Sequence, residues 1–262
     1  MIRVAINGAA GRMGRTLIEA VGAADGLSLT AAFEHPESDA VGSEVDGVRV
    51  GPDIAAGVAD FDVLIDFTEP HATLAALGPC EAHGRGLVIG TTGFDAAGLD
   101  RIRAAAERVP ILMAPNMSVG VNVAFRLIEM AARALGDDVD VEVYEAHHRH
   151  KIDAPSGTAV RIGEILADTL GRDLSTDAVY GRVGITGARD TGTIGFHSVR
   201  GGDIVGEHTV VFAGAGERIE ITHRAQSRMN FAMGALRAVR FVAGRESGLY
   251  GMADVLGEDT TG

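Results

Sequence analysis

Apolar runs and helical periods alternate from the first residues. Ile2–Ile6 is a short β-branched run, and Asn7–Gly14 is a glycine-rich turn. Leu17, Ile18 and Val21 then share one helical face. Leu27–Phe33 reads as a second strand and ends at Glu34. Asp62–Thr68 reads as another buried strand. Pro70 opens a helix carrying Leu74 and Leu77, since proline at a first-turn position loses no hydrogen bond. Gly86–Ile89 is a strand that runs into Gly90-Thr91-Thr92-Gly93. Asp95 is placed to cap a helix that extends to about Arg108. Ile111–Ala114 is a strand that ends in Pro115-Asn116-Met117-Ser118. Strands without polar alternation, each followed by a helix, predict an α/β fold. Its sheet is parallel, doubly wound, Rossmann-like and covered on both faces.

The rhythm then changes. Val121–Leu135 is a long helix, apolar on more than one face (Val123, Leu127 and Met130; Phe125, Ile128 and Leu135). Such a helix is expected to be buried from several sides. Val139–Ala146 alternates like a strand with one wet face, and Gly157–Leu170 is helical. Ile194–Arg200, Glu207–Phe212 and Arg218–His223 read as strands, the last two joined through Ala213-Gly214-Ala215-Gly216 as a hairpin. This half is expected to be an α+β domain with a mixed, largely antiparallel sheet. Ser227–Ala243 is a helix with Phe231, Ala235, Ala238 and Val242 in register, expected to return to the first domain. The predicted division is residues 1–118 with 228–262, and residues 119–227.

Composition narrows the classes. Of 262 residues, 46% are hydrophobic, which excludes a disordered chain. A formal charge of −13 disfavours nucleic acid and anionic membrane as partners. Cys80 is the one cysteine, so no intrachain disulfide forms, in keeping with a reducing compartment. The N-terminal residues enter a strand pattern rather than a signal-peptide pattern, and no 18-residue apolar run occurs. A cytoplasmic protein is expected.

Two segments carry chemistry. Gly8, Ala9, Ala10, Gly11, Arg12 and Met13, closed by Gly14, lie between a strand and a helix. Glycine there permits a tight turn and lets the backbone approach a pyrophosphate at the helix N-terminus. The spacing is G-x-x-G-x-x-G rather than G-x-G-x-x-G. Glu34 ends the second strand about 20 residues past Gly14, where a carboxylate reaches an adenosine ribose hydroxyl. A dinucleotide cradle follows. The loops Gly90, Thr91, Thr92 and Ala114, Pro115, Asn116, Met117 end two later strands and would flank the nicotinamide half.

The second segment is His147-His148-Arg149-His150-Lys151, where a very acidic chain gathers positive charge. Lys151 is the one lysine among 23 basic residues. Arginine stays charged, whereas lysine gives up its proton when neighbours shift its pKa. His147 and Lys151, four apart, project together whether the segment is extended or helical. Close cations disfavour each other's protonation, and an incoming carboxylate reverses that. Pro155-Ser156-Gly157-Thr158 then opens a helix whose N–H groups and hydroxyls form a second anion cradle. The pair suits a small ligand with more than one carboxylate. Histidines this tightly spaced, with no cysteine near, predict no metal site.

On these segments the chain resembles the 4-hydroxy-tetrahydrodipicolinate reductase (dihydrodipicolinate reductase) family, NAD(P)H enzymes of the diaminopimelate route to lysine. Gly8–Gly14, Gly90–Gly93, Ala114–Asn122, Glu145–Ala159, Arg200–His208 and Ile221–Ala225 carry the resemblance, which covers almost the whole chain. It implies that His147 donates and accepts a proton and that Lys151 donates one. His148, Gly157 and Thr158 contact a cyclic dicarboxylate, beside Ser156. Hydride from NADH or NADPH would reach C4 of that ring. It also implies a homotetramer built through the second domain and closure of the domains over substrate. Many members carry Arg after the residue equivalent to Glu34, to meet the 2′-phosphate of NADPH. Here His35 and Pro36 follow, so NADH is expected to serve at least as well. Two alternatives stand beside this reading: an aspartate-dehydrogenase-like enzyme on another imine, and a non-catalytic NAD-binding sensor.

Overall fold

Short apolar runs become strands, and the amphipathic segments between them become helices. β1 (Ile2–Asn7), α1 (Arg12–Gly22), β2 (Leu27–Phe33), β3 (Glu44–Val45), β4 (Val48–Gly51), α2 (Ile54–Gly57), β5 (Val63–Asp66), α3 (Pro70–His83), β6 (Gly86–Ile89), α4 (Ala96–Ala106) and β7 (Pro110–Met113) come first. α5 (Val119–Leu135), β8 (Asp140–His147), α6 (Gly157–Leu170), α7 (Leu174–Asp177), β9 (Ala178–Tyr180), β10 (Ile194–Arg200), β11 (Gly206–Ala213) and β12 (Arg218–Ala225) follow. α8 (Met229–Val242), β13 (Gly248–Tyr250) and α9 (Met252–Val255) come last. The computed structural model describes residues 1–257. Residues 258–262, which the predicted first domain includes, lie outside the described residues. The chain divides into Met1–Val119 with Arg228 onward, and Gly120–Ser227.

In the first unit the sheet order is β13-β7-β6-β5-β1-β2-β4-β3. Every neighbouring pair is parallel except β3 with β4. β1 sits where the winding reverses, with β2 on one side and β5 on the other, and the crevice past its carboxyl end is where such sheets hold ligands. Both faces are buried, which is why the strands read as continuous apolar runs. Val4, Ile6, Val63 and Ile65 join Leu17 and Val21 of α1 and Leu236, Val239 and Val242 of α8 in one core. Ala5 and Leu64 join Leu77 and Cys80 of α3 and Ile102 of α4 in the other. Each large side chain so buried stabilises by roughly 1.5–3 kcal/mol. Asp95 caps α4 as expected, accepting from the Gly98 N–H at 2.7 Å.

In the second unit the order is β12-β11-β8-β10-β9. The sheet is mixed, but only half its pairings are antiparallel: β12 with β11 and β11 with β8. β8 with β10 and β10 with β9 are parallel. The long excursion through α6 and α7 is the reason, since a crossover returns the chain in its original direction. α5 and α6 cover one face, packing Ile128, Ala132, Ile162 and Leu166 on Val141, Val143, Phe196, Val210 and Phe212. The two apolar stripes predicted for α5 part company here. Ile128 and Ala132 are buried, but Val123, Leu127 and Met130 are 42–60% exposed, because the sheet meets only one side of the helix. The segments with no sequence signal (β3, β4, β9, β13, α2, α7, α9) are two to four residues long. That is too short to show a period. No helix among the described residues is long and apolar enough to cross a membrane.

Candidate functional site

The predicted nucleotide loop follows β1. Gly8 adopts φ +74°, a conformation glycine takes without strain. A Cβ there would also lie 2.7 Å from the Thr68 methyl. At Gly14 a Cβ would lie 2.1 Å from the Gly8 carbonyl oxygen, so glycine lets α1 start directly on the turn. The first turn of α1 holds no acidic residue, and Gly11 at its N-cap offers no side-chain acceptor. Its N–H groups therefore have no carboxylate of their own helix, as an anion site requires. Arg12 is exposed and Met13 half-buried. Glu34, just past β2, accepts from the Ala10 N–H at 2.8 Å and the His35 N–H at 3.1 Å. Beside it is a cavity of about 410 Å³ lined by Gly8, Glu34, His35, Ile54, Thr68 and Ala72 among others, a volume that suits part of a cofactor.

Beneath the loops lies a buried polar knot centred on Asp66, the last residue of β5. Asp66 is fully buried. It accepts from Asn7 Nδ2 (2.8 Å), the Thr68 N–H (3.0 Å), the Thr68 hydroxyl (2.6 Å) and the Thr91 hydroxyl (3.1 Å). Thr73 donates to Thr91 at 3.0 Å. Four donors satisfy the carboxylate and tie together the carboxyl ends of β1, β5 and β6. Gly90 is held by an N–H bond to the Asp66 carbonyl at 2.8 Å, and Thr92 is exposed. Past β7, Ala114 and Met117 are buried, Pro115 is exposed, and Asn116 Oδ1 accepts from the Ser118 N–H at 2.9 Å. The fold thus brings all the predicted cofactor residues to the carboxyl edge of one sheet. Asp66 and Thr68 escaped the sequence reading; the available signal was a charge closing a fully apolar strand.

In the second unit, alternation sets the site. Along β8 the residues facing the helices are Val141, Val143, Glu145 and His147, a series that passes from apolar to titratable. Register carries the same switch across the sheet. On β10 it runs from Ile194 and Phe196 to Ser198 and Arg200; on β11, from Phe212 and Val210 to His208. Glu145 Oε2 meets His147 Nδ1 at 2.6 Å. Arg200 grips both Glu145 oxygens at 2.8 Å, and the Ser156 N–H donates to Oε1 at 3.3 Å. Ser156 caps α6, accepting from the Ala159 N–H at 3.2 Å, and its hydroxyl meets His208 Nε2 at 3.0 Å. The His147 and His208 rings stack edge to face, 5.2 Å apart. His147 and Ser156 are therefore joined through Glu145.

The cationic run is neither strand nor helix after His147. It is a turn in which the Lys151 N–H donates to the His148 carbonyl at 3.1 Å. The His148 and His150 rings lie 6.2 Å apart. Lys151 Nζ pairs with Asp153 at 2.9 Å. Gly157 is exposed, with open space where a side chain would stand, and Thr158 is half-buried. Glu145, Arg200 and His208 were not singled out in the sequence. Their signal was phase, since each occupies a core-facing position of its strand.

Charges follow from these contacts. Burial favours a neutral Glu145, but Arg200, Ser198 and His147 outweigh it and bring its carboxyl down to about 2. Burial lowers the His147 pKa against the pull of Glu145, with the Lys151 and Arg200 cations adding to the decrease. Burial takes His208 down to about 3. The Cys80 thiol, inside the first core, is pushed up to about 12 by burial, which removes it as a nucleophile.

Known proteins resemble the chain along nearly its whole length. Residues 2–117 match the family model "Dihydrodipicolinate reductase, N-terminus", and residues 120–256 match "Dihydrodipicolinate reductase, C-terminus". The chain is 60% identical over 263 residues to the 4-hydroxy-tetrahydrodipicolinate reductase of Alkalilimnicola ehrlichii, covering 97% of this chain and 98% of that protein. It is 58% identical over 262 residues to that of Dechloromonas aromatica, with the same coverage. Among solved structures, the dipicolinate-bound dihydrodipicolinate reductase from Paenisporosarcina sp. TG-14 superposes with a TM-score of 0.80 at 26% identity, over 97% and 99% of the two chains.

His208 makes stability depend on pH. Its folded pKa is depressed from 6.5 to about 3, so burial of the neutral ring stabilises fully above 6.5 and less as pH falls toward 3. Urea midpoints measured across that window are expected to drop with pH. They should drop less steeply in His208→Gln. An unchanged slope in the variant would locate the loss elsewhere.

Proposed function

This chain belongs to the dihydrodipicolinate reductase family, and from that premise we propose how its residues reduce 4-hydroxy-tetrahydrodipicolinate to tetrahydrodipicolinate. The family's N-terminal domain makes it an oxidoreductase that uses a pyridine nucleotide. The observation that carries the residue assignment is a buried histidine, bonded to a carboxylate, that shares that carboxylate with the first turn of a helix.

When bound, the reduced nicotinamide supplies hydride to C4 of the ring. The Gly8–Gly11 turn, fixed by its own N–H bonds to Phe33, Glu34 and Gly8, brings the pyrophosphate to the backbone N–H groups of Arg12 and Met13 that begin α1, and Glu34 accepts from the adenosine ribose. Gly90–Thr92 and Ala114–Met117 hold the nicotinamide half. Gly157 and Thr158 bind a ring carboxylate with the N–H groups that begin α6, Ser156 fixes that start through its bonds to Glu145, Ala159 and His208, and His148 binds beside them. The open space at Gly157 lets a ligand approach the backbone closely. Lys151, its ammonium held by Asp153, gives the proton to the carbon next to the one that takes hydride. His147 takes at Nε2 the proton from the carbon beside C4 and passes it to the hydroxyl, which departs as water before C4 is reduced. Its lowered pKa keeps it neutral until a dianionic ring arrives and favours the charged form. The aspartate-dehydrogenase-like and sensor alternatives are not favoured, because reductases at 58–60% identity match along 97% of the chain.

Three finer readings accompany this one. NADH serves at least as well as NADPH: His35 Nδ1 accepts from the Glu37 N–H at 3.3 Å, and the cavity beside Glu34 is also lined by Asp53 and Glu69, poor company for a 2′-phosphate. The enzyme is a cytoplasmic homotetramer. Support for the assembly is the face of the second sheet away from α5 and α6, where Tyr144 and Val199 are 37% and 39% exposed.

Nicotinamide absorbance is expected to fall when the enzyme meets NADH and the condensation product of pyruvate and aspartate semialdehyde. Lys151→Arg keeps charge but donates its proton poorly, so its kcat should drop by roughly 10²–10⁴-fold. Near-normal turnover would mean that charge alone is needed. Steady-state kinetics with both nucleotides should give kcat/KM for NADH no lower than for NADPH; a tenfold preference for NADPH refutes the reading. Sedimentation velocity should report a tetramer that Tyr144→Glu dissociates, and a monomeric native enzyme would remove the assembly.

A further inference from the structure

Glu145 is a buried, fully bonded carboxylate of the second unit, and its side chain is 1% exposed. Each oxygen meets two donors. Oε2 takes Arg200 Nη1 at 2.8 Å and His147 Nδ1 at 2.6 Å; Oε1 takes Arg200 Nη2 at 2.8 Å and the Ser156 N–H at 3.3 Å. An ionised carboxylate only accepts, so the short contact at Nδ1 requires the proton there and leaves Nε2 as the exchanging atom. Nε2 lies against Gly206, where a Cβ would stand 3.1 Å from it. The same Arg200 Nη2 donates to the Asp153 carbonyl at 2.6 Å, and the Asp153 carboxylate holds Lys151 at 2.9 Å.

We propose that Glu145, braced by Arg200, is a positioning residue: it holds His147 in the Nδ1–H form and registers Nε2 against the ligand-binding start of α6. One guanidinium thereby sets the placement of both proton-transfer groups, His147 through the Glu145 side chain and Lys151 through the Asp153 main chain. A group that fixes the tautomer of a catalytic imidazole sets which nitrogen meets substrate, and losing that control costs turnover while leaving the fold in place. The proposal rests on reading His147 as a proton-transfer group, and the experiment separates the two.

The experiment is ¹⁵N NMR of the full-length protein with labelled histidine, above the titration of His147, joined to steady-state kinetics. Wild-type protein should show His147 protonated at Nδ1 and bare at Nε2. The opposite pattern overturns the proposal without any variant. In Glu145→Gln the amide nitrogen can donate to Nδ1, so the ring should switch to the Nε2–H form. kcat should fall at least tenfold while KM for NADH stays within about twofold. Of the described groups facing His147 (Glu145, Lys151, Arg200 and His208), only Glu145 is anionic. Its loss should therefore move the His147 titration to lower pH. Arg200→Lys, which keeps charge but not the two-pronged grip, should lie between wild type and Glu145→Gln in kcat. Retention of the Nδ1–H form and of kcat in Glu145→Gln refutes the proposal. A switched tautomer with unchanged kcat upholds the hold on the ring and removes His147 from proton transfer instead.

Discussion

A carboxylate taken out of water costs several kcal/mol unless it is fully bonded. Glu145 meets that condition with Arg200 across both oxygens, His147 on one side and the Ser156 N–H on the other. Removing any partner leaves a buried charge short of a donor. The position of His147 and the start of α6 are thus consequences of one electrostatic demand. The desolvation that makes the pair costly also makes it directional, because charge-assisted bonds in a dry site tolerate little misalignment.

This demand is met by an ordinary property of strands. Alternation puts every second residue of β8, β10 and β11 on the helix-covered face. At one end of that face stand Val141, Val143, Ile194, Phe196, Val210 and Phe212, which make a core. At the other end the same phase delivers Glu145, His147, Ser198, Arg200 and His208. The sheet continues its period while the chemistry of the inward residues changes, so the site inherits the rigidity of the core beside it.

Much of this was legible in the sequence. The parallel sheet followed from uninterrupted runs such as Gly86–Ile89 and Ile111–Ala114, and the cap of α4 from Asp95. The Gly8–Gly14 turn was legible because only glycine fits where Gly14 touches the Gly8 carbonyl. The exposed stripe of α5 was not: apolar spacing reports which residues could be buried, and only packing decides which are. The balance of parallel and antiparallel pairing depends on the route of a connection rather than on any local pattern. Among site residues, those in dense motifs stood out, such as Lys151 and the 156–158 helix start. Glu145, Arg200 and His208 did not, because partners more than 50 positions apart meet only after the strands have paired.

The two units also build their sites from different material, and this explains why one motif is generic and the other specific. At the carboxyl edge of the first sheet the atoms proposed to meet the cofactor are backbone N–H groups, and the side-chain work is mostly hidden below, at Asp66, Thr68 and Thr91. Backbone looks alike in every glycine turn, so many sequences can produce it. In the second unit the groups proposed to act on a ligand include an imidazole and an ammonium, each with its own partner: Glu145 for His147 and Asp153 for Lys151. Every such pair adds a residue that cannot change alone. A phosphate-binding turn can therefore recur across unrelated chemistry, while the 145–158 segment is bound to a particular set of proton positions, and its specificity as a motif is the trace of that coupling.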